Sequence, residues 1–244
     1  NSITSGGNFN TVVGDQAGTD ITTGDANTFV GFEAGKTIST ASENTAFGYQ
    51  ALKANTSGDG NTAIGVKAMD ANTVGDRNVA VGSDALGAMN PATNADMYNV
   101  AVGYHAGVSV TTGIHNTLIG GLAGDALTDA DKNVAIGYNA LTADTLGSRS
   151  VAVGVGSLGT QNFTTATSAY NVGVGHNAGT LITTGIHNTL VGGQAGDALT
   201  DADDNVAVGL NAALASQNFT TAGDSGNTAV GYFAGVSVTT GVQN

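Results

Sequence analysis

A short motif recurs along the whole chain and constrains its fold more than any other feature of the sequence. It reads Asn-(Thr/Val)-x-(Val/Ile/Phe)-Gly-x-x-Ala, and most copies begin seventeen positions after the previous one, with three longer steps of 21, 21 and 22. A unit of this length cannot bury its own hydrophobic side, so it becomes stable only when copies stack. Because Asn244 begins a further copy, we expect a segment of a longer chain. We predict a single repeat solenoid over residues 1–244, with thirteen coils that begin at Asn10, Asn27, Asn44, Asn61, Asn78, Asn99, Asn116, Asn133, Ser150, Asn171, Asn188, Asn205 and Asn227.

The residues that follow each Asn predict a short β-strand. The first and third positions are β-branched or aromatic, as at Thr45 and Phe47, and residues two apart point to the same face of a strand. The residue between them is mostly small, as at Ala46, and we expect it to face a closely packed neighbour. Val and Thr favour strands, and no stretch shows a sustained helical period. The predicted fold is all-β, a parallel β-solenoid in which each strand pairs with the same strand of the next coil.

A glycine ends every predicted strand. This position indicates either a positive φ angle or a backbone too close to its neighbour for a side chain. An alanine follows three residues later in every copy but one, where Ser157 replaces it, and such a small residue is typical of a tight inner corner. The structural glycines are Gly14, Gly31, Gly48, Gly65, Gly82, Gly103, Gly120, Gly137, Gly154, Gly175, Gly192, Gly209 and Gly231.

A longer period lies over the short one. Residues 111–141 return with few changes at 183–213, which lie 72 positions further along the chain. Three insertions of four or five residues, within 87–98, 159–170 and 214–226, fall in the same part of the repeat. We therefore expect the insertions to form a row of loops on one side of the solenoid.

Composition and charge argue against several classes of protein. The chain has 38 Gly, one Pro, no Cys and a net charge of −13. Glycine without a three-residue period or abundant proline is not collagen, and a chain without cysteine has no disulfide, cysteine zinc site or thiol nucleophile. Its 6 scattered Lys and Arg residues do not form the basic stripe that binds nucleic acid. No apolar run approaches the roughly 20 residues of a membrane span.

Several copies of the motif resemble a known repeat. Residues 61–68, 133–137 and 150–154 read NTAIGVKA, NVAIG and SVAVG. They resemble the head repeats of trimeric autotransporter adhesins, the YadA-like family, and related repeats of bacteriophage tail fibres. The resemblance implies a left-handed parallel β-roll and three chains that pack side by side around an axis. The seventeen-residue coil of this chain is longer than the usual repeat of this family, and basic residues are scarcer.

The residues themselves give a second argument for a homotrimer. Each coil offers one bulky set of strand positions (Val, Ile, Phe) and one small set (Ala, Gly), whereas a single solenoid needs only one interior. We expect the small set to form a second apolar face along the coils, a feature that soluble monomers avoid. Packing against sister chains in a closed ring would cover this face. The alternative is that it lies beneath loops of the same chain.

We expect no cofactor and no metal site; the alternative is a bound metal ion, for which the sequence offers two kinds of candidate residue. Ca²⁺ takes several oxygen ligands from one loop, and two equivalent acidic turns hold Asp125, Asp129 and Asp131, and Asp197, Asp201 and Asp203. The alternative is that these are ordinary turns in which Asp bonds the local backbone. A histidine near a trimer axis would meet two copies of itself and could bind a transition metal; otherwise it is simply a repeat residue. The histidines are His105, His115, His176 and His187.

Two insertions offer candidate receptor contacts. Each places an aromatic side chain between amides and hydroxyls, a combination that suits carbohydrate. The alternative is that each Phe packs onto the solenoid and anchors its loop. The residues are Gln161, Asn162 and Phe163, and Gln217, Asn218 and Phe219.

No catalytic constellation emerges, so we expect that the protein is not an enzyme. Glycine strings such as residues 173–175 lack the lysine and the helix of a phosphate-binding loop. We expect an extracellular fibre segment at a cell surface or virion, the shaft or head of a trimeric adhesin or tail fibre that presents a surface to a glycan or protein receptor. One alternative is a structural filament subunit that stacks end to end. Another is an ice-binding protein, because some Thr-rich solenoid faces order water.

Overall fold

A computed structural model of the protein describes residues 7–212 and 223–238. These residues form short strands and tight turns, with no helix among them. Parallel strands of successive coils pair with each other, and equivalent residues of neighbouring coils lie 17 residues apart along the chain, or 21 to 22 where an insertion intervenes. The predicted all-β parallel solenoid is therefore confirmed. The chain divides into two compact units, Asn1–Asn116 and Thr117–Asn244.

The first unit contains one three-residue strand per coil. Its strands are β1 (Thr11–Val13), β2 (Thr28–Val30), β3 (Thr45–Phe47), β4 (Thr62–Ile64), β5 (Gly75–Asp76), β6 (Val79–Val81), β7 (Ala95–Asp96) and β8 (Val100–Val102). The register of the main strands joins equal repeat positions, as Thr11 joins Thr28. The two-residue strands β5 and β7 pair only with each other.

The second unit repeats this arrangement. Its strands are β9 (Thr117–Ile119), β10 (Val134–Ile136), β11 (Gly147–Ser148), β12 (Val151–Val153), β13 (Thr167–Ser168), β14 (Val172–Val174), β15 (Thr189–Val191), β16 (Ala202–Asp203), β17 (Val206–Val208), β18 (Gly223–Asp224) and β19 (Thr228–Val230). The pairs β11–β13 and β16–β18 match the pair β5–β7 of the first unit. Each of the three insertions therefore contains one strand of a short parallel pair, and the insertions do fall at equivalent points of the repeat.

The small strand residues form the interior of the solenoid. Ala46, Ala135 and Ala152, each in the middle of a strand, are fully buried, whereas Phe47 beside Ala46 is 56% exposed. The prediction that the small residues form a second apolar face is therefore wrong: they face inward, and the bulky residues face outward. The inner-corner alanines such as Ala17 are also fully buried, as predicted.

Inside each coil, the middle strand residue and the residues of the following turn fill the same interior space. Where the strand contributes a large residue, the turn has glycine: a Cβ on Gly124 would lie 2.8 Å from Leu118 Cδ2. Where the strand contributes Ala80, the turn contributes Leu86 and Met89, and all three are fully buried. Close packing of this kind leaves no room for a large residue both in the middle of the strand and at the turn position occupied by Gly124 or Leu86.

The glycine that ends each strand is required for two reasons. Gly48 has a φ angle of +140°, which side-chain-bearing residues rarely adopt. A Cβ at this position would also overlap the carbonyl oxygen of Gly65 in the next coil. Both of the predicted reasons therefore apply, since the backbones of neighbouring coils approach each other closely at this corner.

The repeat asparagines form a buried ladder that joins the coils. The backbone N–H of Asn44 donates to Oδ1 of Asn27 (3.0 Å), and the backbone N–H of Asn61 donates in turn to Oδ1 of Asn44 (2.9 Å). Asn44 Nδ2 donates to the carbonyl of Gly58 (2.9 Å). Each amide therefore satisfies buried backbone groups of two coils, which is why an apolar residue does not replace it.

Candidate interaction surfaces

The outward side of the strands is an uncharged apolar surface, which we call the apolar face. It consists of the first and third strand residues of every coil. In the first unit these are Thr11, Val13, Thr28, Val30, Thr45, Phe47, Thr62, Ile64, Val79, Val81, Val100 and Val102, and in the second Thr117, Ile119, Val134, Ile136, Val151, Val153, Val172, Val174, Thr189, Val191, Val206, Val208, Thr228 and Val230. Large exposed apolar surfaces of this kind mark interaction sites in soluble proteins.

A second exposed row follows the strand-end glycine and contains several aromatic residues. Phe32 and Tyr49 occupy this row in neighbouring coils, and their rings stack with centroids 5.4 Å apart at an interplanar angle of 12°. Tyr104 and Tyr138 are exposed at the same repeat position. The apolar face is thus bordered by aromatic side chains, the residue type most enriched at protein interfaces.

Sequence reasoning missed a further row, at the residue immediately before the ladder asparagine. These residues adopt a left-handed turn conformation, for example Arg77 with φ 59° and Arg149 with φ 64°. The longer of the two sequence periods could have revealed the row, because it places Arg, Tyr and His at this position twice. We call Arg77, Tyr98 and His115 the first column, and Arg149, Tyr170 and His187 the second column.

The side chains of each column stack on one another. In the first column the Arg77 guanidinium lies 6.0 Å from the centre of the Tyr98 ring, which stacks on His115 at 5.7 Å. In the second column Arg149 lies 5.7 Å from the centre of the Tyr170 ring, and the His187 ring lies 5.8 Å from Tyr170 at a tilt of 38°. Cation–π and aromatic contacts hold both sets of side chains in place.

The two columns differ in charge. Arg77 forms an ion pair with Asp96, whose carboxylate also accepts a hydrogen bond from the Tyr98 hydroxyl (3.2 Å). Ser168 occupies the position of Asp96 in the second column, and its hydroxyl bonds the Arg149 guanidinium. The residue before Arg149 in the row is Lys132, which is exposed. Neither Arg149 nor Lys132 forms an ion pair in the part of the chain that the structure describes.

The insertion residues predicted to contact a receptor are mostly interior. Phe163 is only 6% exposed and Gln161 is fully buried, so the prediction of an exposed contact is wrong for both. Phe163 is the loop anchor that the alternative described, while Asn162 is exposed. The predicted contacts Gln217, Asn218 and Phe219 lie outside the described residues.

Gln161 instead completes a buried polar network where the asparagine ladder is interrupted at Ser150. Its Nε2 donates to Asp144 Oδ2 (2.5 Å) and to the Ser150 hydroxyl (3.1 Å), and its Oε1 accepts from Asn171 Nδ2 (2.9 Å). Asp144 also accepts bonds from the backbone N–H groups of Gly147 and Phe163. Burial raises the pKa of the Asp144 carboxyl above its ordinary value of 3.8, against the lowering effect of these hydrogen bonds.

The acidic turns are not assembled into a metal centre. Among the described residues, no three His, Asp or Glu side chains lie close enough to hold one ion. Asp125 accepts a bond from the Thr142 hydroxyl (2.5 Å), and Asp203 accepts one from the backbone N–H of Ile186 (2.7 Å). His187 lies 3.2 Å from Asp204 as a single pair.

Glu33 is the centre of the strongest charge cluster in the first unit. Its carboxylate oxygens lie 2.6 Å from Lys36 Nζ and 2.7 Å from Lys53 Nζ, and Gln50 Nε2 donates to it at 2.7 Å. Hydrogen bonds from Lys36, Lys53 and Gln50 lower the pKa of Glu33 to about 2. Glu33, Gln50 and Lys53 come from two neighbouring coils, so the cluster joins these coils.

The described residues enclose no pocket. None of them belongs to a helix that is long and apolar enough to cross a membrane. No match was found when the chain was compared with protein-family models, with curated proteins and with solved structures. The exposed surfaces described above are therefore the candidates for the functional site.

Proposed function

We propose that the protein is a segment of an extracellular homotrimeric fibre, in which three copies pack side by side through the apolar face. The observation that carries this proposal is the apolar face itself. It holds Thr, Val, Ile and Phe and no charged side chain, in a chain with a net charge of −13. The β-branched and aromatic residues of this face are half-buried or exposed in every coil. This exposure is costly in water, and burial stabilises such side chains by about 25 cal/mol for each Å².

A second copy of the chain is the partner that fits this face best. The face repeats at the strand spacing of about 4.8 Å, so an identical chain in parallel orientation presents the same repeat and can meet it along many coils. Acidic residues outside the face favour solubility of the assembly. A closed ring of three chains covers the face on each of them, as the resemblance to trimeric head repeats implies, and leaves the other sides to present a receptor-binding surface.

Light scattering coupled to size-exclusion chromatography tests the assembly. We expect three times the chain mass for the unaltered protein. Phe47→Lys combined with Ile136→Lys places a charge on the apolar face of each unit and should yield monomers. Thr23→Lys, at an exposed position away from the face, is the matched control and should stay trimeric.

Two outcomes would contradict the proposal. An unaltered chain that is monomeric at micromolar concentration would show that the apolar face does not associate. Fibres that lengthen with concentration in electron micrographs would instead favour the structural filament, in which coils stack end to end through their open strand edges.

A further inference from the structure

We propose that Lys132 and the second column form a binding site for the carboxylate of an acidic saccharide. The inference names the ligand class of the surface that the fibre presents, and in that sense it rests on the proposed function. All of its residues belong to one chain and to the second unit, so the site is complete without a partner copy.

The distribution of positive charge is the first argument. Lys132 and Arg149 are the only Lys and Arg residues between positions 117 and 244. They occupy the same row in consecutive coils, whose strands pair with Val134 opposite Val151. Like charges at equivalent positions of neighbouring coils repel each other, as like charges at facing positions of neighbouring strands do. A bound anion would reduce this repulsion, and neither Lys132 nor Arg149 has an ion pair among the described residues.

The second argument is that the Arg149 guanidinium is held in place but not neutralised. The Tyr170 ring lies on one side of it, and the hydroxyl of Ser168 accepts a bond from one of its nitrogens. A guanidinium has five N–H donors, so donors remain for a carboxylate, which arginine binds in a bidentate manner. A donor group that is already fixed loses less entropy when it binds.

The neighbouring groups suit sugar hydroxyls. Tyr170 is 52% exposed, but Arg149 and His187 flank its ring, so a ligand meets its edge and its hydroxyl rather than its face. The imidazole of His187 is exposed beside it. Phenol and imidazole groups both donate and accept hydrogen bonds, as the hydroxyls of a saccharide require.

The charge of the whole chain limits the ligand to one of low charge density. A net charge of −13 repels polyphosphates and nucleic acids at long range. Lys132 and Arg149 lie in consecutive coils, whose backbones are about 4.8 Å apart, so the two cations can together address a single carboxylate. An open surface without a pocket among the described residues accommodates a chain of sugars as readily as a terminal unit. A saccharide with isolated carboxylates meets these conditions.

The first column is an internal control with the same stacked side chains. There the Arg77 charge is neutralised by Asp96, and Gly60 stands where the second column has Lys132. Gly60 has a φ angle of +66°, and a Cβ there would lie 3.6 Å from Arg77 Cγ, an ordinary van der Waals contact; Lys132 adopts nearly the same φ of 60°. The first column should therefore be inactive, and Gly60→Lys with Asp96→Ser should convert it into a copy of the site.

Titration by NMR with a hyaluronan tetrasaccharide, in which every second sugar is a glucuronate, tests the site. We expect backbone amide shifts at Arg149, Tyr170 and His187, and no binding of the carboxyl-reduced tetrasaccharide. Arg149→Ala should weaken binding about tenfold or more, because it removes a charge-assisted bond. Lys132→Ala should weaken it less, and Arg77→Ala should leave it unchanged. The Gly60→Lys/Asp96→Ser variant should double the number of bound saccharides per chain.

Equal binding of the carboxyl-reduced sugar would overturn the inference. So would unchanged binding by Arg149→Ala, provided that its circular dichroism spectrum is unaltered. Tighter binding of a single-stranded DNA oligonucleotide or of inorganic phosphate would also overturn it. Light scattering on the same samples separates the two proposals. A monomer that binds the tetrasaccharide contradicts the trimer alone, whereas a trimer that does not bind it contradicts the site alone.

Discussion

At the scale of single residues, the repeat explains the residue type at most positions. Residues that depart from the repeat, such as Gln161, form specific polar contacts. Gln161 lies where other coils place Ile38 or Leu127 in the interior. Comparison of equivalent positions would have predicted that Gln161 points inward. Its loop composition instead suggested an exposed contact, because the sequence contains no direct signal for the polar partners, Asp144 and Ser150, that burial requires.

The Asp144–Gln161 pair leads to the first prediction. Gln161→Met should destabilise the fold by about 2 kcal/mol, because it removes the amide donor of a buried carboxylate. Asp144→Asn added to Gln161→Met reproduces the buried pair Asn72 and Met89 and should recover about half of the loss. Urea denaturation at pH 7 measures both values, and an unchanged stability of the single variant would refute the role of the network.

The same network has a defined pH dependence. The folded-state pKa of Asp144 is raised above 3.8, so the ionised form is disfavoured by folding at neutral pH. This penalty disappears as the pH falls below 3.8 and the carboxyl is protonated in both states. The cost of Gln161→Met should therefore shrink at low pH.

Glu33 should have the opposite dependence. Its pKa is lowered from 4.5 to about 2 in the folded state, so its contribution to stability is complete above pH 4.5 and is lost as the pH falls towards 2. Thermal melts should show that wild type loses more stability than Glu33→Gln across this window. Glu43→Gln alters an exposed carboxylate with no ion pair among the described residues, and this control should behave as wild type.

At the scale of the coil, the sequence predicted the strands, the glycine corner and the stacking but not which strand face lies inside. Alternation with a period of two shows that Ala135 and Ile136 face opposite ways, yet both residues are apolar and either could be interior. The turn contains the missing signal, because Leu141 follows the small Ala135, whereas Gly124 follows the large Leu118. Volume matching between strand and turn identifies the middle strand position as the buried one.

This volume matching can be tested by giving the coil that contains Leu118 the interior residues of the coil that contains Ala80. Leu118→Ala should cost about 3 kcal/mol, as the cavity of a buried leucine does. The triple variant Leu118→Ala/Gly124→Leu/Leu127→Met copies the interior set of Ala80, Leu86 and Met89. It should lie within about 1 kcal/mol of wild type, because Gly124 with φ +55° already has the backbone conformation of Leu86 with φ 50°. A triple variant no more stable than Leu118→Ala would refute the matching.

At the scale of the whole molecule, the repeat makes stability a sum over neighbouring coils. Deletion of residues 62–78 removes one whole repeat and joins Asn61 to Val79, which are neighbours in the repeat pattern. We expect this variant to fold with a slightly lower melting temperature. Deletion of residues 63–78 removes one residue fewer and places Val79 instead of Ala80 at the middle strand position after Asn61; it should unfold the region, since a one-residue shift turns the strand side chains to the wrong face. Circular dichroism distinguishes the two outcomes.

The trimer is the prediction that went furthest beyond what the residues themselves indicate. The resemblance of the repeats suggested a trimer, and the structure supplies an apolar face in place of the small-residue face on which the argument was built. Phe47 and Val13 are both 56% exposed, whereas Ala46, one of the small residues that the sequence argument placed on such a face, is fully buried. What such a face meets depends on how whole solenoids pack against each other, which the residue pattern within one coil does not encode.

The asparagine ladder has a mechanical consequence. Its hydrogen bonds join each coil only to the next, as Asn61 is joined to Asn44. Under tension along the stacking direction all junctions between coils carry the same load, and the weakest one gives way first, so coils detach singly. Each detached seventeen-residue coil releases about 60 Å of extended chain. A stretched molecule would therefore lengthen in discrete steps, equal for most coils and longer for the three coils with insertions.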